Sequence, residues 1–249
     1  MNQLLLPQDY TGAPTVRITG RDHHYLRNVL RVGPGDTLNG RDRSGTIYKL
    51  TVAKEEGNAL LLRSERQEEP ESSFDHALTL FQCLPKAAKM DDIVRRATEM
   101  GAMRIVPLIS ECTVSRPSDA KRSRQRTERW RRITKEALQQ SGAPRLPIVE
   151  EPSPLERIER RERGCDLFFH VDRTGGWSLH RLLRRSPRTV NLLVGPEGGF
   201  SKREIEFILH CGFSPVCLGD TILRVETAAV AAISAVRTLL WERDDWTTA

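Results

Sequence analysis

Two glycine-bearing segments late in the chain hold the residues best placed to do chemistry. They are Gly195-Pro196-Glu197-Gly198-Gly199-Phe200 and Leu218-Gly219-Asp220-Thr221-Ile222-Leu223-Arg224-Val225-Glu226-Thr227-Ala228. Neither fits the usual nucleotide loops. A Walker A loop needs Gly-x-x-x-x-Gly-Lys-Ser/Thr, and a dinucleotide turn needs Gly-x-Gly-x-x-Gly after the first strand of its unit. No lysine stands in either segment to hold a phosphate. Two bare backbone turns side by side suit a flat, uncharged group such as adenine. Arg224 and Glu226 add a cation and a carboxylate nearby. Taken alone, these residues leave structural roles open: glycines after strands are ordinary turn formers, Glu226 can complement a helix dipole, and Arg224 can pair with it.

The elements that position these loops are legible around them. Val190-Asn191-Leu192-Leu193-Val194 reads as a buried strand ending at Gly195. Ser201-Lys202-Arg203-Glu204 matches a capping box opening a helix, with Ile205, Ile208 and Leu209 on its inner side and Gly212 as its C-cap. Pro215-Val216-Cys217-Leu218 predicts a second strand. From about Glu226, Ala228, Ala229, Ala231, Ala232 and Ala235 build a long helix with a thin, closely packable face.

With these loops in place, the chain resembles the RsmE-type methyltransferases of the SPOUT superfamily, which methylate N3 of a uridine in small-subunit ribosomal RNA. The pair Gly-Pro-Glu-Gly-Gly-Phe-Ser and Leu-Gly-x-x-Ile-Leu-Arg-x-Glu-Thr-Ala looks like that family's signature. The likeness runs over nearly the whole chain. His24-Tyr25-Leu26-Arg27-Asn28-Val29-Leu30-Arg31-Val32 and Gly35-Asp36 look like the entry to a PUA-like barrel. Leu84-Pro85-Lys86, Met90, Thr98-Glu99-Met100-Gly101 and Pro107 follow in the family's order.

The resemblance implies an α/β fold with a C-terminal trefoil knot that holds S-adenosyl-L-methionine. Leu193, Val194, Gly195, Pro196, Glu197, Gly198, Gly199, Leu218, Gly219, Ile222 and Leu223 would hold that cofactor. Arg224 would stabilise charge on uracil, and Glu226 would accept the N3 proton or orient Arg224. The implied RNA contacts are His24, Arg27, Arg31, Lys86, Arg116, Arg122 and Arg126. The partners implied are 16S rRNA, within the small ribosomal subunit, and a second copy of the chain. Two positions depart from the pattern. Glu111-Cys112-Thr113 stands where the family commonly has Glu-Arg-Ser, and Gly142-Ala143 stands where it often has Gly-Arg, with Arg145 two residues on.

The bulk properties agree with this reading. At 249 residues the chain has ample length for a buried core, and its net charge of +6 suits an acidic partner such as nucleic acid. Residues 1–73 hold ten basic and ten acidic residues, so the excess lies in the remainder, with 29 of the 39 basic and 23 of the 33 acidic residues. The densest cluster is Arg116, Lys121, Arg122, Arg124, Arg126, Arg129, Arg131 and Arg132. A helix with Trp130, Ile133 and Ala137 inward would present these outward, either as a solvated face or to RNA phosphates.

The five cysteines, Cys83, Cys112, Cys165, Cys211 and Cys217, form no Cys-x-x-Cys pair. Scattered reduced thiols, no metal site and a cytoplasmic location are expected. The opening Met1-Asn2-Gln3-Leu4-Leu5-Leu6-Pro7 lacks a basic n-region, and no stretch approaches the roughly 20 apolar residues that span a membrane.

The polar segment Arg66-Gln67-Glu68-Glu69-Pro70-Glu71-Ser72-Ser73 predicts a boundary, with a small β-barrel over 1–72 and an α/β domain over 73–249. Strands are expected near 36–40, 45–52 and 59–62 in the first part. The second part should alternate strands (78–83, 104–109, 166–171) with helices (90–100 and around 127–140), which argues for a mainly parallel sheet. Two other readings stay open: a methyltransferase acting on another rRNA or tRNA nucleotide, and a non-catalytic RNA-binding or assembly protein.

Overall fold

The computed structural model describes residues 3–68, 76–158, 164–171, 178–185 and 187–242. By packing, the chain divides into two compact units, one of Met1–Ser72 with Lys135–Leu146 and one of Ser73–Thr134 with Pro147–Ala249. The expected junction between 72 and 73 lies outside the described residues.

The first unit is built on a five-stranded sheet. Its strands are β1 (Gln3–Leu5), β2 (Thr15–Thr19), β3 (Thr37–Arg41), β4 (Ile47–Glu56) and β5 (Ala59–Arg66), in the order β1-β3-β4-β5-β2. Every pairing is antiparallel except β1 with β3. Tyr48, Leu50 and Val52 on β4 alternate with more exposed neighbours, the period-2 pattern of a sheet with one buried face. They meet Leu60 and Leu62 of β5, and Leu4, Ile18 and Leu26, in one apolar cluster. Gly40 on β3 is required there, since a Cβ would lie 2.6 Å from the Leu50 side chain. A short helix, α1 (Gly20–His24), runs into a π-helical turn over Tyr25–Val29.

The second unit is a seven-stranded, all-parallel sheet. It comprises β6 (Ala77–Cys83), β7 (Arg104–Ile109), β8 (Ile148–Val149), β9 (Ser153–Pro154), β10 (Cys165–Phe169), β11 (Thr189–Val194) and β12 (Ser214–Val216). The order is β12-β10-β11-β6-β7-β8, with β9 also on β7, so the expected mixed α/β architecture with a parallel sheet is present.

The two central strands are buried on both sides, which is why they are mostly apolar, with Thr79, Gln82 and Asn191 as buried polar residues within them. Leu78, Leu80, Val190, Leu192 and Val194 face a cluster with Ile93 of helix α2 (Lys89–Glu99) and Ala229, Ala232 and Ile233 of helix α6 (Val225–Trp241). Phe81, Cys83, Phe168 and Leu193 face the opposite cluster with Ile208 of helix α5 (Lys202–His210). Each such leucine contributes on the order of 1.5–3 kcal/mol of burial. The alanine face of α6 is used within the chain, where α6 packs on α2 and β11. Helix α4 (Leu179–Leu183) adds to the same layer.

Several expectations shift. Helix α3 (Ala120–Ser141) starts earlier than residue 127, because Asp119 caps it by accepting the Arg122 N–H at 2.8 Å. Strand β12 ends at Val216, which leaves Cys217 and Leu218 to the following loop. Leu209 is 47% exposed rather than inward; Phe207 takes its place against the core, and Glu204 is itself buried. No helix among the described residues is long and apolar enough to cross a membrane.

Candidate active site

In an open parallel sheet, ligands bind where the strands end at their carboxyl edge. Here β10, β11 and β12 end side by side. The loop after β11 turns tightly: the Gly199 N–H donates to the Pro196 carbonyl at 3.0 Å, and Gly199 adopts φ 68°, a conformation disfavoured by any residue with a Cβ. Phe200 then folds back under Gly195, where a Cβ would lie 3.1 Å from its ring. The capping box is complete, with the Ser201 hydroxyl accepting from the Glu204 N–H at 3.2 Å and the Glu204 carboxylate accepting from the Ser201 N–H at 2.9 Å. At its far end α5 closes in a Schellman motif: the Phe213 N–H donates to the Ile208 carbonyl, the Gly212 N–H to the Leu209 carbonyl, and Gly212 has φ 90°.

The loop after β12 runs from Cys217 to Arg224, and Arg224 is the extended residue that precedes α6. Between the two loops lies a cavity of about 300 Å³. Val194, Gly195, Pro196, Glu197, Gly198, Gly199, Leu218, Gly219, Ile222 and Leu223 line it, so the sequence brings almost all of its proposed cofactor residues to one place. Leu193 does not line it. It is fully buried and packs in the cluster below the sheet with Phe81 and Phe168, because consecutive strand residues face opposite ways. Phe169, His170 and Val171, at the end of β10, form a wall that the motif reading missed. The signal was the predicted strand itself, whose carboxyl end had to reach this edge.

Arg224 and Glu226 do not line the cavity. Arg224 is exposed, and Glu226 is half-buried in the first turn of α6. The Lys89 ammonium, on the first residue of α2, lies 3.0 Å from Glu197 Oε1 and 3.4 Å from Glu226 Oε2. The Lys86 backbone N–H donates to both Glu197 oxygens, at 3.1 and 3.2 Å, while the Lys86 side chain is exposed. Burial alone would raise the Glu197 carboxyl. The Lys89 ammonium and backbone N–H groups outweigh it and hold the group below the usual glutamate range. Gln82, buried within β6, donates to the Cys83 carbonyl at 2.9 Å and reaches the Val194 carbonyl at 3.4 Å, directly before the first loop.

The basic residues split into two groups. Arg122 is exposed on α3 and Arg31 is exposed with φ 56°, and the exposed His24 ring contacts the Asn28 amide at 2.6 Å. Arg27 pairs with Glu55 at 3.0 Å and donates to the Val32 carbonyl. Arg116 donates to the carbonyls of Ser110, Glu111 and Thr113, and Arg126 to that of Ser115. These last three guanidiniums therefore hold local backbone or a neighbouring carboxylate.

The chain's kinship follows the same residues. Residues 71–237 match the RNA methyltransferase domain family. The ribosomal RNA small subunit methyltransferase E of Synechocystis is 35% identical over 91% of this chain and 74% of its own length. That of Bacillus subtilis is 30% identical over 93% of each. The crystal structure of ribosomal RNA small subunit methyltransferase E from Neisseria gonorrhoeae bound to S-adenosyl methionine superimposes with a TM-score of 0.84, at 27% identity, over 96% of this chain and 98% of that one. The chain belongs to the RNA methyltransferase family, in its ribosomal RNA small subunit methyltransferase E branch.

Proposed function

We propose that this protein methylates N3 of a specific uridine in 16S rRNA of the small ribosomal subunit, with S-adenosyl-L-methionine as donor. The observation that carries the reading is the cavity between the two glycine loops, in a chain of this family. The residues suit the cofactor. Pro196, Leu218, Ile222 and Leu223 give apolar walls, and backbone groups of the glycine turns lie in the lining to meet the adenine edge. Gly199 and Gly219 have open space where a side chain would stand. When bound, the cofactor supplies a methyl carbon already activated by its sulfonium.

The chain's own task is then to position uracil and handle its N3 proton. Arg224, exposed beside the cavity loop, stabilises negative charge on the uracil carbonyls, as an oxyanion hole does. Glu226 accepts the proton or orients Arg224. Because N3 lies on the pairing edge, a paired uridine must first be exposed.

The same reading extends to architecture. Residues 1–72 act as a PUA-like RNA-binding barrel and 73–249 as a SPOUT domain with a C-terminal trefoil knot. The protein works in the cytoplasm as a homodimer. His24, Arg31, Lys86 and Arg122 offer exposed side chains to RNA, while Arg27 holds Glu55 and the Val32 carbonyl, and Arg116 and Arg126 hold the segment before α3. An Arg224→Ala variant tests the assignment: methyl transfer is lost while RNA and cofactor binding persist. Equal loss of cofactor binding would make Arg224 a structural residue instead.

A further inference from the structure

A carboxylate lies in one cavity loop and another just beyond the second. Glu197 sits in the first loop and Glu226 heads the helix into which the second loop runs. Their side chains are each 23% exposed, and the ammonium of Lys89 stands between them. The Glu226 oxygen facing Lys89 is buried and makes no other hydrogen bond, so this cation is its one close partner among the described residues. Without it two half-buried carboxylates would face each other, and like charges at such range repel.

The placement of Lys89 runs against local preference. A cation on the first residue of a helix opposes the macrodipole, and Ala88 before it supplies no side-chain cap. The turn leading to it is held in an unfavourable conformation as well, with Ala87 at φ 54° although it is not glycine. In the same turn the Lys86 N–H donates to Glu197. Two local costs within three residues, in a segment whose Lys86 and Lys89 contact the Glu197 carboxylate, point to a role beyond helix stability.

We propose that Lys89 is a positioning residue: its ammonium clasps Glu197 and Glu226 and so fixes the spacing of the two cavity loops that S-adenosyl-L-methionine binding requires. This rests on the cofactor reading above. Lys89 itself makes no contact with the reacting atoms.

The test is isothermal calorimetry with S-adenosylmethionine on Lys89→Met, Lys89→Arg and the triple variant Lys89→Met/Glu197→Gln/Glu226→Gln, alongside thermal melts. Lys89→Met should weaken cofactor binding by about tenfold or more, the size expected when one partner of a coupled charge cluster is removed. Lys89→Arg should recover most of the affinity, because the charge returns. The triple variant should bind more tightly than Lys89→Met, because the repulsion is gone. In methyl-transfer assays the Lys89→Met defect should include a raised KM for the cofactor, which Lys89→Arg should reverse. Wild-type affinity in Lys89→Met would overturn the proposal, and so would a triple variant no tighter than the single one. If the wild type binds the cofactor but methylates no rRNA, the substrate reading fails while the calorimetric comparison still decides the clasp. If the wild type does not bind the cofactor, both fall.

Discussion

The buried carboxylate of Glu204 accepts the backbone N–H of Glu111 at 2.8 Å, tying the segment after β7 to the start of α5. Its other oxygen closes the capping box at Ser201, so one side chain fixes two loop origins. Glu204→Ala leaves both N–H groups without their acceptor and should cost about 2–4 kcal/mol. In a thermal melt this corresponds to roughly 5–15 °C for a chain of this size. Glu204→Gln keeps one acceptor and should lose about half as much. A melt of Glu204→Ala within a degree of wild type would show that these contacts carry no stability.

Gly198 meets the same segment from the other side. A Cβ placed there would lie 3.0 Å from the Cys112 Cβ, tighter than ordinary side-chain contact. Gly198→Ala should therefore push the first cavity loop off Cys112 and weaken cofactor binding by about tenfold, equivalent to about 1.4 kcal/mol. Adding Cys112→Gly removes the collision and should restore affinity, as read by calorimetry. If the second change brings nothing back, the loop is not seated on Cys112. This contact also gives a physical role to one of the two positions where the chain departs from its family's pattern.

The strands and loops of the site were readable because their signals are local. The run Val190–Val194, the capping box and the glycine turns each declare themselves within a few residues. Other features were hidden for equally physical reasons. Strands β1 and β2 are short, and their partners lie tens of residues away. The first turns of α3 hold Lys121, Arg122, Arg124 and Arg126, with no apolar period to mark them. Leu209 points outward because α5 is turned so that Glu204 and Ile208 face in, which costs little once the Glu204 oxygens are bonded. Lys89 gave no signal at all, since its meaning depends on Glu197 and Glu226, more than a hundred positions away. At the other departure from the family pattern, Ala143 is buried and its carbonyl accepts from Gln3 Nε2 at 3.0 Å, a purely tertiary role.

The two groups of arginines should separate experimentally. Arg122→Ala removes an exposed cation and should lower RNA affinity, reducing the slope of log K against log salt by about 0.7–0.9. Arg116→Ala removes the donor to three carbonyls of the segment after β7 and should lower the melting temperature. Filter binding across a salt series, paired with melts, reads both. The reverse pattern would contradict this division of roles.

Stability should fall at alkaline pH for a specific reason. Burial keeps the Cys165 thiol protonated up to about 11, above the usual thiol range, and pushes fully buried Cys83 further in the same direction. A thiol raised in the folded state contributes fully below its unfolded value, and that contribution is lost as the pH climbs through the folded one. The midpoint of denaturant unfolding should therefore decline between about pH 9 and 11. A Cys83→Ala/Cys165→Ala variant should show a shallower decline over that window. An unchanged slope would assign the alkaline loss to other groups.

The most direct test of the account is methyl transfer from labelled S-adenosylmethionine to purified small ribosomal subunits and to naked 16S rRNA, with the product nucleoside identified by mass spectrometry. The account predicts N3-methyluridine at a single position from the wild-type protein and none from Arg224→Ala. A different methylated nucleoside would contradict the assigned substrate while keeping the reaction class, and absence of cofactor binding would contradict the enzyme itself.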